Sequence, residues 1–175
     1  MRIGVLIMSF FAISKLFAID ANKYNNLKPN LVIEDFFNGK IKAWGIIQDR
    51  SGDVLSKFDV DMVGSWEGDK GKLVEDFRYY DTGKTQHRVW EITKLSNGRY
   101  TGTAADIIGI AEGTAHGNAI NWHYEMDVPV KNTSYRMKFD DWMWAMHDGV
   151  VVNRSYLKKF GITFAEITIF MEKQK

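Results

Sequence analysis

Ala119-Ile120-Asn121-Trp122-His123-Tyr124-Glu125-Met126-Asp127-Val128 decides the fold, because a large apolar side chain falls on every second residue with a polar one between. Such a period of two places Ile120, Trp122, Tyr124, Met126 and Val128 on one face of a strand and the polar residues on the other. The same alternation recurs upstream, where Phe58, Val60, Met62, Gly64 and Trp66 interleave with Lys57, Asp59, Asp61, Val63 and Ser65. It recurs again near the end, in Ala165, Ile167, Ile169 and Met171 against Phe164, Glu166, Thr168 and Phe170.

Turn signals punctuate these runs: Arg50-Ser51-Gly52-Asp53, Glu67-Gly68-Asp69-Lys70-Gly71, Asp81-Thr82-Gly83, Ser96-Asn97-Gly98 and His147-Asp148-Gly149. Their spacing of roughly 8–16 residues suits hairpin-linked antiparallel strands, about nine or ten in all. Pro129 falls at an expected turn, so no central strand is broken. Lys158-Lys159-Phe160-Gly161 reads as a tight turn or short helical piece before the last strand. Asn30 is placed to cap a short helical turn through Glu34-Asp35-Phe36-Phe37, ended by Gly39. The fold expected is all-β: one antiparallel up-and-down barrel preceded by a short helical turn.

One tract departs from the aromatic character of the chain. From Gly102 to Ala119 half the residues are Gly or Ala. It reads as two strands, Tyr100 to Ala111 and Gly117 to Val128, turning near Glu112 to His116. Its bare part, about Gly102 to Gly117, is expected close to one rim of the barrel. Either the chain's own rings or a ligand must lie against that strip.

The N-terminus is of another kind. Met1-Arg2, an apolar run from Ile3 to Ile13, and Leu16-Phe17-Ala18 describe a secretory signal peptide cleaved after Ala18. About 12 apolar residues fall short of the roughly 20 that span a bilayer. Residues 19–33 then form an arm, and 34–175 the barrel domain. Without Arg2 and Lys15, Lys+Arg falls from 23 to 21 against 22 Asp+Glu, so the mature chain is nearly neutral. No basic patch is visible, which argues against nucleic acid and against a strong membrane-surface patch. The chain has no Cys, and therefore no disulfide and no lipid-acceptor thiol.

Two acidic pairs interrupt the alternation, Glu75-Asp76 and Asp140-Asp141. Consecutive strand residues face opposite sides, so one carboxylate of each pair points inward. Arg78, Arg88, Arg136 and Arg154 are the cations available to meet it. An internal ion pair that fixes register and a polar base to a ligand cavity are both consistent with this pattern; general acid-base work is the third reading. Asp106 joins the same group. His87, His116, His123 and His147 show no ligand spacing, and neither a metal nor a cofactor is expected. The six Trp residues either cover glycines or line an apolar pocket. Adjacent Trp142 and Met143 must split between faces.

The order of short motifs resembles the DUF3833 family of bacterial proteins. Trp44-Gly45 with Gln48-Asp49-Arg50, Glu75-Asp76-Phe77, Arg88-Val89-Trp90 and Tyr100-Thr101-Gly102-Thr103-Ala104-Ala105-Asp106 carry the first half of the resemblance. Gly117-Asn118-Ala119, Trp122-His123-Tyr124, Asp140-Asp141-Trp142-Met143, Asn153-Arg154 and Lys159-Phe160-Gly161 carry the second. The resemblance spans roughly Glu34 to Lys173. It implies a lipocalin-like (calycin) barrel, and relatives that look like envelope lipoproteins, from which this chain departs by lacking Cys. Such relatives are often encoded near fatty-acid-modifying enzymes, a connection to lipid. No catalytic residues come with the family.

These readings converge on a monomeric periplasmic barrel that binds a hydrophobic or amphipathic small molecule, a fatty acid or lipid derivative. The expected lining is Trp44, Glu75, Arg88, Trp90, Asp106 and Asn118 from the first part of the chain. Trp122, Tyr124, Asp140, Asp141, Trp142 and Arg154 complete it. A cofactor-free isomerase or cyclase acting on a modified lipid is the first alternative, and a structural envelope protein with a filled barrel is the second.

Overall fold

The computed structural model describes residues 19–130 and 133–175; the expected leader at 1–18 lies outside them. The alternating runs form ten strands. In order these are β1 (Gly39–Asp49), β2 (Val54–Glu67), β3 (Lys70–Tyr79), β4 (Thr85–Lys94) and β5 (Arg99–Thr103), followed by β6 (Ile107–His116), β7 (Ala119–Val130), β8 (Thr133–Ala145), β9 (Val150–Lys159) and β10 (Ile162–Lys173). Each strand pairs antiparallel with its neighbours in sequence, and β1 closes the ring on β10 from Ile41 opposite Lys173 to Asp49 opposite Ala165. This is the up-and-down barrel expected from the alternation. Closure leaves no sheet edge in need of a partner.

Each strand sends one set of side chains inward and the other to the outer wall. Phe58, Val60 and Met62 of β2 are buried, whereas Asp61 and Val63 between and beside them are exposed. Outside, charged residues pair across strands: Asp59 accepts from both Nε and Nη2 of Arg78 at 3.1 and 2.7 Å and also binds Lys42. Arg78 and Lys42 hold the Asp59 carboxyl below its ordinary range, Arg78 most strongly.

One end of the barrel is plugged. After a 3-10 turn (Ala21–Tyr24), the chain reaches α1 (Ile33–Phe36), whose Ile33 and Phe36 join Phe37, Ile41, Met62 and Ile120 in the main core. The indole N–H of Trp66 donates to the Phe37 carbonyl at 3.0 Å, and Glu34 holds Lys94 and the Tyr100 hydroxyl. The expected cap at Asn30 is not formed. Val32 occupies the cap position with no side-chain bond, and Asn30 instead accepts from Lys28. Burial of Ile33 and Phe36, not capping, fixes this turn.

The Gly/Ala tract divides differently from the reading of its sequence. β5 ends at Thr103, Ala104–Asp106 turn, and β6 runs straight through the segment where the turn was expected. The hairpin sits at Gly117-Asn118, because Gly117 takes φ 58 there while Glu112 to His116 remain paired with β7. The strip meets the protein's own rings: Trp122 stands opposite Gly113, and Trp90 lies beside Gly102. β5 is so short that it pairs with β4 only over Glu91–Lys94. Above that, the Ala104–Asp106 turn takes the place of a strand beside β4.

Candidate functional site

Opposite the plug the barrel is open. A cavity of about 840 Å³ runs from Ile33 and Phe37 at the floor to Leu55, Lys84 and Val130 at the mouth. Its wall is mostly apolar, with Phe58, Phe77, Trp90, Trp122, Ile167 and Ile169 among the contributing side chains. The interior is therefore not filled by side chains, and the volume lies within the roughly 300–1,000 Å³ typical of small-molecule pockets.

A polar patch interrupts that wall. Glu75 on β3 and Arg88 on β4 are cross-strand partners, with Nη1 and Oε2 3.6 Å apart. Arg88 turns its stronger contacts to Asp106, where Nη2 and Nε donate at 2.6 and 3.0 Å, and its guanidinium also stands 5.3 Å over the Phe77 ring. Asp106 can reach Arg88 because the short β5 leaves that stretch of wall to its turn. Gln86 adds a donor to Asp106 at 3.2 Å and accepts from the Tyr79 hydroxyl at 3.1 Å. The consequence falls on Glu75, whose Oε2 is buried and has no hydrogen-bond partner.

Facing this pair, Asp141 on β8 accepts from the Ser155 hydroxyl at 2.7 Å, from Asn153, and from the Tyr124 hydroxyl at 3.2 Å. Tyr124 is fixed in turn by stacking on Phe139 at 4.8 Å and by the edge of Trp90 at 5.7 Å. No cation approaches Asp141 within ion-pair distance among the described residues.

Burial pushes the Glu75 carboxyl up to about 7; the Arg88 charge opposes this, and the Asp106 charge adds to it. Burial likewise raises Asp141 against the pull of its Ser155, Asn153 and Tyr124 hydrogen bonds. The Tyr124 hydroxyl is raised well above its ordinary value, again chiefly by burial. Burial works against the Arg88 charge, but Glu75 and Asp106 more than offset it, so the guanidinium stays charged. The patch thus combines one neutralised cation with carboxyls that resist ionisation.

Six of the expected lining residues meet at this cavity: Glu75, Arg88, Trp90, Trp122, Tyr124 and Asp141. Asp106 joins them through Arg88. The other five lie elsewhere. Trp44 packs on Phe170 on the outer wall, and Arg154 faces Glu166 and Thr168 there. Asp140 points outward to Lys158 at 2.5 Å. Asn118 sits in the β6–β7 turn at the plugged end, and Trp142 is covered from outside by Tyr24, 5.7 Å away. Trp142 and Met143 do split between faces, with Met143 lining the cavity. Sequence reasoning missed Asn153 and Ser155. Their signal was present: they are the polar members of an inward row, Val151, Asn153, Ser155, Leu157, whose alternation is obscured by the valines before it.

A ten-strand antiparallel barrel, hollow, plugged at one end and carrying a buried polar patch, is the class of protein these features define. The chain belongs to the DUF3833 family, described as a protein of unknown function, whose model matches residues 10–173. A search of the curated proteins finds no match.

Proposed function

We propose that this barrel is a lipocalin-like carrier that binds a hydrophobic or amphipathic small molecule, a lipid derivative, in the periplasm. The observation that carries the reading is the open, largely apolar cavity of about 840 Å³ whose wall holds Glu75 Oε2, near Arg88 but accepting no hydrogen bond. Burying a carboxyl oxygen without a partner is unfavourable, and a ligand group that donates to it removes that cost. Arg88 is already engaged by Asp106, which favours a polar end that donates, such as a hydroxyl or amide, over a free carboxylate.

Native mass spectrometry of protein purified from its host, with displacement of a polarity-sensitive fluorophore by long-chain alcohols and amides, tests this. The expected result is a co-purifying lipid mass and displacement that Ile167→Trp, placed to fill the cavity, abolishes. Absence of fluorophore binding, or binding indifferent to Ile167→Trp, overturns the reading.

A second reading, a cofactor-free enzyme acting on the bound lipid, draws on Glu75. A carboxyl raised to about 7 beside a cavity is suited to proton transfer near neutral pH. Glu75→Gln separates the two: under this reading turnover of the co-purified lipid stops while the lipid is retained.

A further inference from the structure

Among the described residues, three hairpin turns carry two consecutive residues at positive φ, as type I′ geometry requires. Asn97-Gly98 (φ 60 and 69) and Asp148-Gly149 (φ 61 and 75) join β4 to β5 and β8 to β9 at the plugged end. Phe160-Gly161 (φ 52 and 78) joins β9 to β10 at the mouth. Asn and Asp accept the left-handed region because their short polar side chains bond locally; a bulky aromatic residue does not. The fold recovers nothing for this strain. Phe160 is 90% exposed, and the Lys159 ammonium stands 5.6 Å from its ring. A costly conformation that displays a bare ring at a loop tip points to a use outside the fold.

The ring has company. Ile162 and Phe164 on β10, Val130 at the end of β7 and Leu55 at the start of β2 are exposed at the same end of the barrel. Leu55 and Val130 also line the cavity, so at these two positions the apolar wall reaches the rim, with Ser56, Thr82 and Lys84 contributing polar groups to the same lining. The outer wall carries charged pairs such as Lys42–Asp59 and Arg136–Asp127 as well as the exposed Trp44–Phe170 pair, and the mouth is where exposed apolar residues run into the apolar cavity wall.

We propose that the mouth of the barrel docks end-on against a phospholipid bilayer, with Phe160 inserted among the acyl chains. Charge favours this occupant over a second copy of the chain. Lys159, Lys84 and Arg50 stand at this end with no carboxylate partner among the described residues, and Lys159 lies 4.6 Å over the Tyr135 ring. Tyr and Lys together suit the headgroup layer, where the ammonium meets phosphate. The carboxylates of Asp49 and Asp81 are turned onto backbone amides, leaving Asp53 as the opposing charge. Two mouths face to face would set these cations against their copies. Three such cations are too few for a polybasic contact, so docking rests chiefly on apolar insertion and largely persists in high salt. The nearly neutral composition hid this surface, since it exists only once segments distant in sequence gather on one rim. It goes beyond ligand binding, because the rim is displayed whether or not the cavity is occupied.

Co-flotation with phosphatidylethanolamine vesicles containing a minority of phosphatidylglycerol, together with thermal denaturation, tests the proposal. Phe160→Asn is expected to raise the melting temperature, by relieving the turn, while weakening vesicle binding by about tenfold or more, the loss of one inserted ring. A stabilised variant rules out misfolding as the cause of lost binding. Leu55→Ser, on β2 at the same mouth, is expected to weaken binding as well. Vesicle binding unchanged in Phe160→Asn overturns the proposal, as does a concentration-dependent dimer that Phe160→Asn abolishes in the absence of vesicle binding. Ile167→Trp keeps the two readings apart: it blocks the cavity and is expected to leave vesicle binding intact.

Discussion

The indole of Trp122 occupies the space where a side chain on its cross-strand partner Gly113 would stand; a Cβ there meets ring atoms at 2.8 Å. Gly113→Ala is therefore expected to destabilise the barrel by about 1–3 kcal/mol, the usual cost of overpacking a core. Chemical denaturation measures it. Pairing Gly113→Ala with Trp122→Leu is expected to recover part of the loss, and strictly additive effects would show that the two do not meet.

Glu75 makes stability depend on pH. Its carboxyl sits at about 7 in the folded protein against the ordinary 4.5, so folding favours the protonated form. The contribution is fully present below about 4.5 and is lost as pH rises through about 7. Glu75→Gln keeps the shape without the charge. At pH 8 it is expected to be more stable than the parent by about 3 kcal/mol at most, and near pH 5 the two converge. Parallel denaturation curves across that window check the sign, which reverses if Glu75 is stabilised by Arg88 more than it is penalised by burial.

The adjacent carboxylates of β8 have opposite surroundings. Asp141→Ala leaves Asn153, Ser155 and Tyr124 facing an empty position inside the barrel, and is expected to cost about 2–4 kcal/mol. Asp140→Asn keeps an acceptor for Asn121 and Trp142 and loses the outer charge contacts with Lys158 and, more distantly, His123. It is expected to cost under about 1 kcal/mol and to leave fluorophore displacement unchanged.

Chain length should register in affinity. Each methylene removed from water contributes about 0.8 kcal/mol, so two added carbons in an alcohol series are expected to tighten binding roughly tenfold. The trend should stop when the chain outgrows the cavity. A flat series would place the displaced fluorophore on the surface instead of inside.

Much of this architecture is legible in the chain. Alternation in Ala119 to Val128 and in Ala165 to Met171 already separates inner wall from outer, and the turn pairs Asn97-Gly98 and Asp148-Gly149 mark hairpins unaided. The site is only partly legible. Parity says that one of Asp140 and Asp141 faces inward, but which one depends on register, and Arg88 is distinguished from Arg78, Arg136 and Arg154 only by the strand that carries it. Asn30 failed as a cap because a four-residue turn held by two buried side chains has little need of one. Trp44 and Trp142 are apolar residues on the outer face, one paired with Phe170 and the other roofed by the N-terminal arm, so hydrophobicity alone assigned them to the wrong side of the wall.

The pairing of β1 with β10 is the one strand contact in the ring between segments far apart in sequence. Every other ladder joins neighbours that emerge from the ribosome in succession, so nine tenths of the hoop can form as hairpins in order of synthesis. Until the stretch from Ala165 to Lys173 arrives, the growing sheet ends in two raw edges, β1 and β9. Those edges are the period of risk for this chain, when another copy can add itself where the last strand belongs. Sealing the hoop is thus a single event that waits for β10, and loss of that strand would leave a curled sheet open on both sides.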